Sequence, residues 1–225
     1  MAGKVFFSVT MSLDGFMAPE AVPAEDLFSP EKQDEKQDDP GVRRWMSKWS
    51  ELQAWIFPQR FFRENLKLGE GGEEGIDNDI ARATHERTGV SVMGKRLFDQ
   101  GEHAWPEEAP FHIPVFVVTH TERDPWERPG GTTFHFVNDG IESALDQARE
   151  AAGDRDVRIA GGGETIQEYL DTGLIDEFSV TVAPVLFGAG IRLFDRVDPA
   201  RLTLNQDSAA ASPRVTHLTY TVGKR

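Results

Sequence analysis

Apolar positions along the chain follow two rhythms. Lys4 to Thr10 (KVFFSVT) is β-rich and mostly apolar, and Met11 to Gly15 follows it as a loop exit, which predicts a first buried strand. From Val42 to Leu68, Trp45, Trp49, Leu52, Ile56, Phe57, Phe61 and Phe62 recur at helical spacing. Pro58 interrupts that ladder, so one kinked helix or two short ones are expected. Asp77 stands where it would cap a helix running to about Thr88, with Ile80 and Ala81 inward. Gly89 to Met93 reads as a strand and Gly94-Lys95-Arg96 as a helix opening, while Pro114 to Thr119 is an unbroken apolar run, the mark of a strand covered on both faces.

The second half repeats the alternation. Thr132 to Val137 is a strand candidate, and Gly140 to Ala152 puts Ile141, Ala144, Leu145 and Ala148 on one helical stripe. Asp156 to Ala160 then leads through three glycines into a helix from Glu164 to Leu170. Leu174 to Leu186 alternates as a long strand, and Leu202 to Asp207 with Arg214 to Val222 forms a closing hairpin. Strands alternating with helices and ending in strands predict an α/β fold whose central sheet is mainly parallel, flanked by helices, with an antiparallel carboxyl-terminal hairpin. At 225 residues the expectation is a single domain over 1–225 with an insertion at 20–40.

Charge changes the picture in one place. Eight carboxylates face two lysines between Glu20 and Asp39, which reads as a solvated loop, and the net charge of −14 argues against a nucleic-acid surface. No apolar run approaches the roughly 18 residues of a membrane span. The amino-terminal residues lack a signal-peptide pattern and cysteine is absent, so the expected compartment is the cytoplasm.

Three strand exits carry candidate chemistry. Gly161, Gly162 and Gly163 lie between a buried strand and a helix, where backbone N–H groups can meet a diphosphate; a tight turn is the competing reading. Lys95 and Arg96 follow Gly94 at a helix amino end, against the helix dipole unless an anion is present. The strand ending at Val118 delivers Thr119 and His120, with Arg123 shortly after.

Ser8 to Gly15, Val92 to Arg96, Val117 to Thr119, Ile159 to Gly163, Leu174 to Glu177 and Val182 to Gly188 together resemble the dihydrofolate reductase-like fold, specifically the reductase domain of bacterial riboflavin-biosynthesis deaminase/reductases. The resemblance implies an NADPH site with Gly94, Lys95 and Arg96 near phosphates, Thr119 and His120 near the adenosine end, and Gly161 to Glu164 at the diphosphate. It also implies that Thr10, Leu13 and Asp14 approach the nicotinamide or substrate. A 2′-phosphate reader would be Lys95, Arg96 or Arg123. Asp14 is the candidate catalytic group, orienting substrate or relaying a proton, with plain turn chemistry as its alternative. Trp45, Trp49 and Phe57 are the candidates for stacking on a flat heterocycle, with core packing as theirs.

The implied activity is hydride transfer to a small heterocycle, in the manner of 5-amino-6-(5-phosphoribosylamino)uracil reductase. Riboflavin-pathway reductases resemble Glu-Gly-Gly at the turn, whereas Ala160 precedes Gly161 here. Pterin reduction is the alternative, although Glu51, the one carboxylate near the aromatic stripe, is expected to face solvent. A rival of another class is a module that binds or senses NADPH without turnover. The six histidines show no ligand spacing, so no metal is expected. A homodimer is expected from the resemblance and from aromatics in excess of core needs.

Overall fold

Pro58 divides the aromatic segment as its missing N–H requires. Helix α1 (Pro40–Gln53) precedes it and α2 (Arg60–Asn65) follows. The computed structural model describes residues 3–19 and 39–224, so the acidic-loop reading lies outside the described residues except at Asp39. Asp39 caps α1, its carboxylate accepting from the backbone N–H of Gly41 (2.7 Å) and Val42 (3.0 Å).

Ahead of α1 lie β1 (Val5–Ser12) and β2 (Phe16–Ala18); after α2 come α3 (Ile76–Arg87), β3 (Thr88–Gly94), α4 (Lys95–Glu102) and β4 (Pro114–Val118). Then follow β5 (Trp126–Arg128), β6 (Thr132–Val137), α5 (Ile141–Ala152), β7 (Asp156–Gly161), α6 (Gly163–Asp171) and β8 (Glu177–Ala183), with β9 (Ile191–Arg192), β10 (Leu202–Ala211) and β11 (Thr216–Lys224) last. The predicted long strand from Leu174 is shorter. Leu174 still bonds back to α6, Asp176 accepts from the Val5 N–H at 2.7 Å, and Pro184 cannot donate to the ladder.

Nine strands form one sheet in the order β10-β11-β8-β1-β7-β3-β4-β6-β5. The six central strands, β8 to β6, are parallel, and β5, β10 and β11 add antiparallel edges, as the alternation predicted. Its two faces differ. On one, Phe7, Val92, Ile159 and Val180 bury against Leu145 of α5 and Ile166 of α6. Each such side chain contributes about 1.5–3 kcal/mol. On the other, the alternate positions of the same strands are polar: Ser8 and Thr10 of β1, Ser91 of β3, Arg158 of β7 and Thr181 of β8. Helices α1 to α3 roof that polar face.

The amino ends of the parallel strands are closed by ions. Glu177 accepts from Lys4 Nζ and Arg87 Nη1, both at 2.5 Å, and Arg87 also pairs with Asp156 at 2.6 Å. Burial pushes the Glu177 carboxyl up, but the bonds from Lys4 and Arg87 outweigh it and leave its pKa below the usual value.

Asp77 does not cap α3. Gly75 holds that position with φ 117°, and Asp77 is buried in the first turn, two residues on, where His217 of β11 meets its carboxylate. Among the described residues no helix is long and apolar enough to cross a membrane, and no three His, Cys, Asp or Glu side chains converge as a metal cluster.

Candidate active site

The order β7-β3-β4 brings the three predicted strand exits side by side at the carboxyl edge of the sheet, where ligands of open α/β sheets gather. They form one end of a cavity of about 950 Å3. Gly161 has φ 132°, a conformation that a side chain would strain, and its peptide bond to Gly162 is cis. Gly94 packs so closely against the α6 amino end that a Cβ there would stand 2.2 Å from Thr165 Oγ1. At Gly162 a Cβ would meet nothing within 4 Å, so that turn opens onto free space.

Two helices begin at these turns without caps. Neither Gly94, ahead of α4, nor Gly162, ahead of α6, offers a side chain to the first N–H groups. Those donors and the positive dipole ends face one cavity, which is the chemistry a diphosphate needs.

The cations at the α4 start divide. Lys95 Nζ is 2.7 Å from both oxygens of Asp99, a turn later, which relieves its conflict with the dipole. Arg96 is exposed on the cavity rim with no ion-pair partner among the described residues. Arg123 turns away: it pairs with Glu102 at 2.7 Å and lies over the Phe136 ring, outside the cavity lining.

Thr119 is buried on the wall and accepts from the Thr121 N–H at 3.1 Å, and His120 sits exposed on the rim. Glu164 is also on the rim, paired with Arg196 at 3.0 Å. Thr10 reaches the cavity from β1. Its hydroxyl accepts from Trp55 Nε1 at 3.0 Å and donates to Gln53 Oε1 at 3.2 Å.

Two expected residues stand elsewhere. Leu13 is 66% exposed and outside the cavity lining. Asp14 also lies outside it, because its carboxylate is occupied by Ser12 Oγ at 2.7 Å and by the N–H groups of Gly188 (2.7 Å) and Phe187 (3.1 Å). The Ser12 bond first, and then these backbone donors, hold its pKa down at about 2. A carboxylate so placed fastens the β1–β2 turn to the loop after β8.

The aromatic candidates divide too. Trp45 and Trp49 line the cavity, stacked with ring centres 6.3 Å apart, whereas Phe57 packs behind Trp49 and lines nothing. Phe61 and Phe62 of α2 take the wall position instead. The aromatics expected to mark a dimer surface are mostly turned inward: among the exposed large hydrophobic residues of the described part, only Phe194 is aromatic.

Sequence reasoning missed the polar groups beneath this roof. Thr181 Oγ1 lies 2.9 Å from His217 Nδ1, and His217 Nε2 lies 2.9 Å from Asp77 Oδ1, all three residues being buried. The chain of bonds ends at Thr181 on the cavity floor. Arg158 lies on the same floor with a single bond, from Nη2 to the Ser8 carbonyl at 3.2 Å, and burial lowers its pKa. His85 stacks on Phe61 nearby; burial, then the charges of His112, Arg158 and Arg155, holds its pKa below 6.5, so the ring is neutral at pH 7.

The RibD C-terminal domain family matches residues 3–218. This chain belongs to that family. RibD C-terminal domains form a family of NADPH-dependent reductases, and its members typically bind NADP(H). A structure of a Shewanella sp. PV-4 protein named for riboflavin biosynthesis covers 99% of both chains, with 23% identity and a TM-score of 0.62. Enterococcus faecalis dihydrofolate reductase, solved with NADP(H), covers 99% of this chain and 98% of its own at 11% identity and a TM-score of 0.53. The Thermotoga maritima diaminohydroxyphosphoribosylaminopyrimidine deaminase/5-amino-6-(5-phosphoribosylamino)uracil reductase covers 98% of this chain and 56% of its own, at 14% identity and a TM-score of 0.54. These likenesses establish the dihydrofolate reductase-like fold. In sequence, the uncharacterized protein YwjB of Bacillus subtilis is 37% identical over 59 residues, 26% of this chain and 33% of YwjB, so the match spans about a third of that relative.

Proposed function

We propose that this RibD-type domain is an NADPH-dependent reductase acting on a small flat heterocycle, related in chemistry to aminouracil reduction in riboflavin synthesis. The observation that carries the reading is one cavity with two chemistries: uncapped helix ends and the unpaired Arg96 at one end, and aromatic walls over a polar floor at the other. The residues present fit the cofactor, since Gly162 leaves room at the α6 amino end and Gly94 lets the two turns close together.

When bound, the reduced nicotinamide supplies hydride. The chain supplies the rest. Gly162 and Gly163 present backbone donors to the diphosphate, and Arg96 meets the 2′-phosphate. Trp45 and Trp49 hold the flat ring and exclude water. The proton moves from His217 through Thr181: a hydrogen on His217 Nδ1 passes to the Thr181 oxygen, whose own hydrogen goes to substrate, while Asp77 holds the ring through Nε2. Asp14, held by Ser12, Phe187 and Gly188, has no part in that transfer.

Calorimetric titration with NADPH and NADH, followed by nicotinamide oxidation with aminopyrimidine ribosides, pterins and quinones, tests the proposal. Tight NADPH binding with turnover of one class is expected. NADPH binding without turnover across the panel assigns a binding module instead, and failure to bind NADPH overturns both readings. His217→Gln is expected to lower turnover by about a hundredfold, with NADPH affinity unchanged. Equal loss of both would mean that the histidine only holds the fold.

A further inference from the structure

Four described arginines have a shielded Nε without a partner: Arg60, Arg63, Arg82 and Arg158. Arg60 meets Glu74 at 2.5 Å, and Arg63 and Arg82 lie outside the cavity. Arg158 alone of the four lines the cavity, and among the described residues it meets no carboxylate. Its Nε is shielded without a partner, its one bond is a long one to a carbonyl, and its residual exposure belongs to a residue of the cavity floor. A guanidinium taken from water with most of its donors unused costs several kcal/mol unless something else satisfies it.

The register fixes where it acts. Arg158 stands beside Ser91 of β3 and Phe6 of β1, two positions before Ala160 and so deeper in the sheet than the glycine turn. The groups that share its cavity come from different elements. Ser8, whose carbonyl it bonds, belongs to β1, the neutral His85 and Thr84 to α3, and the rings of Phe61, stacked on His85, and Phe62 to α2. The charge that faces His85 here is positive, and no carboxylate is bonded to Arg158. The Nη1–Nη2 edge of the guanidinium, where the Ser8 carbonyl takes one Nη2 hydrogen, is open to a carboxylate, and the aromatic residues that line the same cavity match a flat ring.

We infer that Arg158 is the anion receptor of the roofed lobe, and that the lobe takes a flat aromatic molecule carrying a carboxylate, with the acid group on the Arg158 fork. Naming that molecule a substrate rests on the reductase reading; the binding does not require the cofactor. The same residue explains what Ala160 leaves open. A site without a carboxylate at the turn and with a bare guanidinium two residues earlier is built for the opposite sign of ligand group.

The test uses the full chain and a charge-isosteric pair, 2-naphthoate and 2-naphthamide, followed by calorimetry and by quenching of tryptophan fluorescence. The wild type is expected to prefer naphthoate about tenfold or more, and Arg158→Met to abolish that preference. The ligand-free Arg158→Met protein is expected to melt no lower than the wild type, since an uncompensated charge has been removed. Equal binding of the two probes by the wild type, absence of naphthoate binding, or a preference that survives Arg158→Met would each overturn the assignment. The wild-type comparison decides even if the variant does not fold. NADPH titration of the same samples separates the two proposals: lost NADPH binding with the naphthoate preference intact sinks the reductase alone, and the converse sinks the receptor alone.

Discussion

The two ends of the parallel sheet treat charge in opposite ways. At the amino ends, Lys4, Arg87, Asp156 and Glu177 saturate one another within 2.5–2.6 Å. Toward the carboxyl ends, Arg96 and Arg158 lack carboxylate partners among the described residues, and two helices begin uncapped. Both regions are electrostatically costly to build, and only one settles its cost within the chain. The difference separates charge that holds the fold from charge that waits for a ligand.

The largest effect should follow from breaking the saturated end. Arg87→Ala would leave Glu177 and Asp156 half-buried with fewer partners and should cost about 2–3 kcal/mol, discounted from a fully buried pair because Arg87 is 32% exposed. Denaturant unfolding measures that loss, and NADPH affinity should stay unchanged; a fall in affinity would show that the two ends are coupled. At the open end the expectation reverses. Arg96→Ala should weaken NADPH about tenfold, NADH much less, and leave the unfolding midpoint in place. Lys95→Ala should do less, since that ammonium is already held by Asp99. Equal weakening of both cofactors by Arg96→Ala would put Arg96 on the diphosphate.

A smaller effect is expected from Asp14, which lies between the two regimes. Its folded pKa is about 2 against an ordinary 3.8, so the carboxylate contributes stability above the ordinary value, and that contribution is lost as pH falls through the folded one. Urea midpoints recorded between pH 5 and pH 2 should therefore fall more steeply for the wild type than for Asp14→Asn, most of the divergence lying below pH 3.8. Superimposable profiles would mean that the bonds from Ser12, Phe187 and Gly188 do not hold the charge.

The open end was legible in the sequence because its signals are local. A glycine run, a glycine before two cations, and a threonine after an apolar run each sit within a few residues, and parallel topology aligns such exits automatically. The floor was not legible. His217 and Asp77 are 140 residues apart and meet only because β11 returns antiparallel beside β8, a register that no local pattern encodes. Arg158 looked like an ordinary polar position in an alternating strand, and only the absence of a carboxylate above it gives it meaning. Asp77 stands beside a helix start, where local chemistry suggests a cap, but His217, a distant partner, claims its carboxylate. Asp14 keeps a local bond from Ser12 and adds the N–H groups of Phe187 and Gly188, which no local pattern announces. Phe57 and Arg123 fit the local pattern as well and face the wrong way.

The position of β1 also sets an order of events in time. It lies between β7 and β8, so both of its edges wait for segments synthesised about 150 residues later. Until those arrive, a strand carrying Val5, Phe6 and Phe7 has no ladder on either side. It is the stretch most exposed to pairing with another nascent chain. Helices α1 to α3 can form early from local contacts, but the floor they cover is laid down only when β7 and β8 enclose β1, and the Asp77–His217–Thr181 chain of bonds only when β11 closes beside them. The interior of the cavity is thus the last part of the molecule to exist, and a chain stalled before β8 would carry the roof of a site with no floor beneath it.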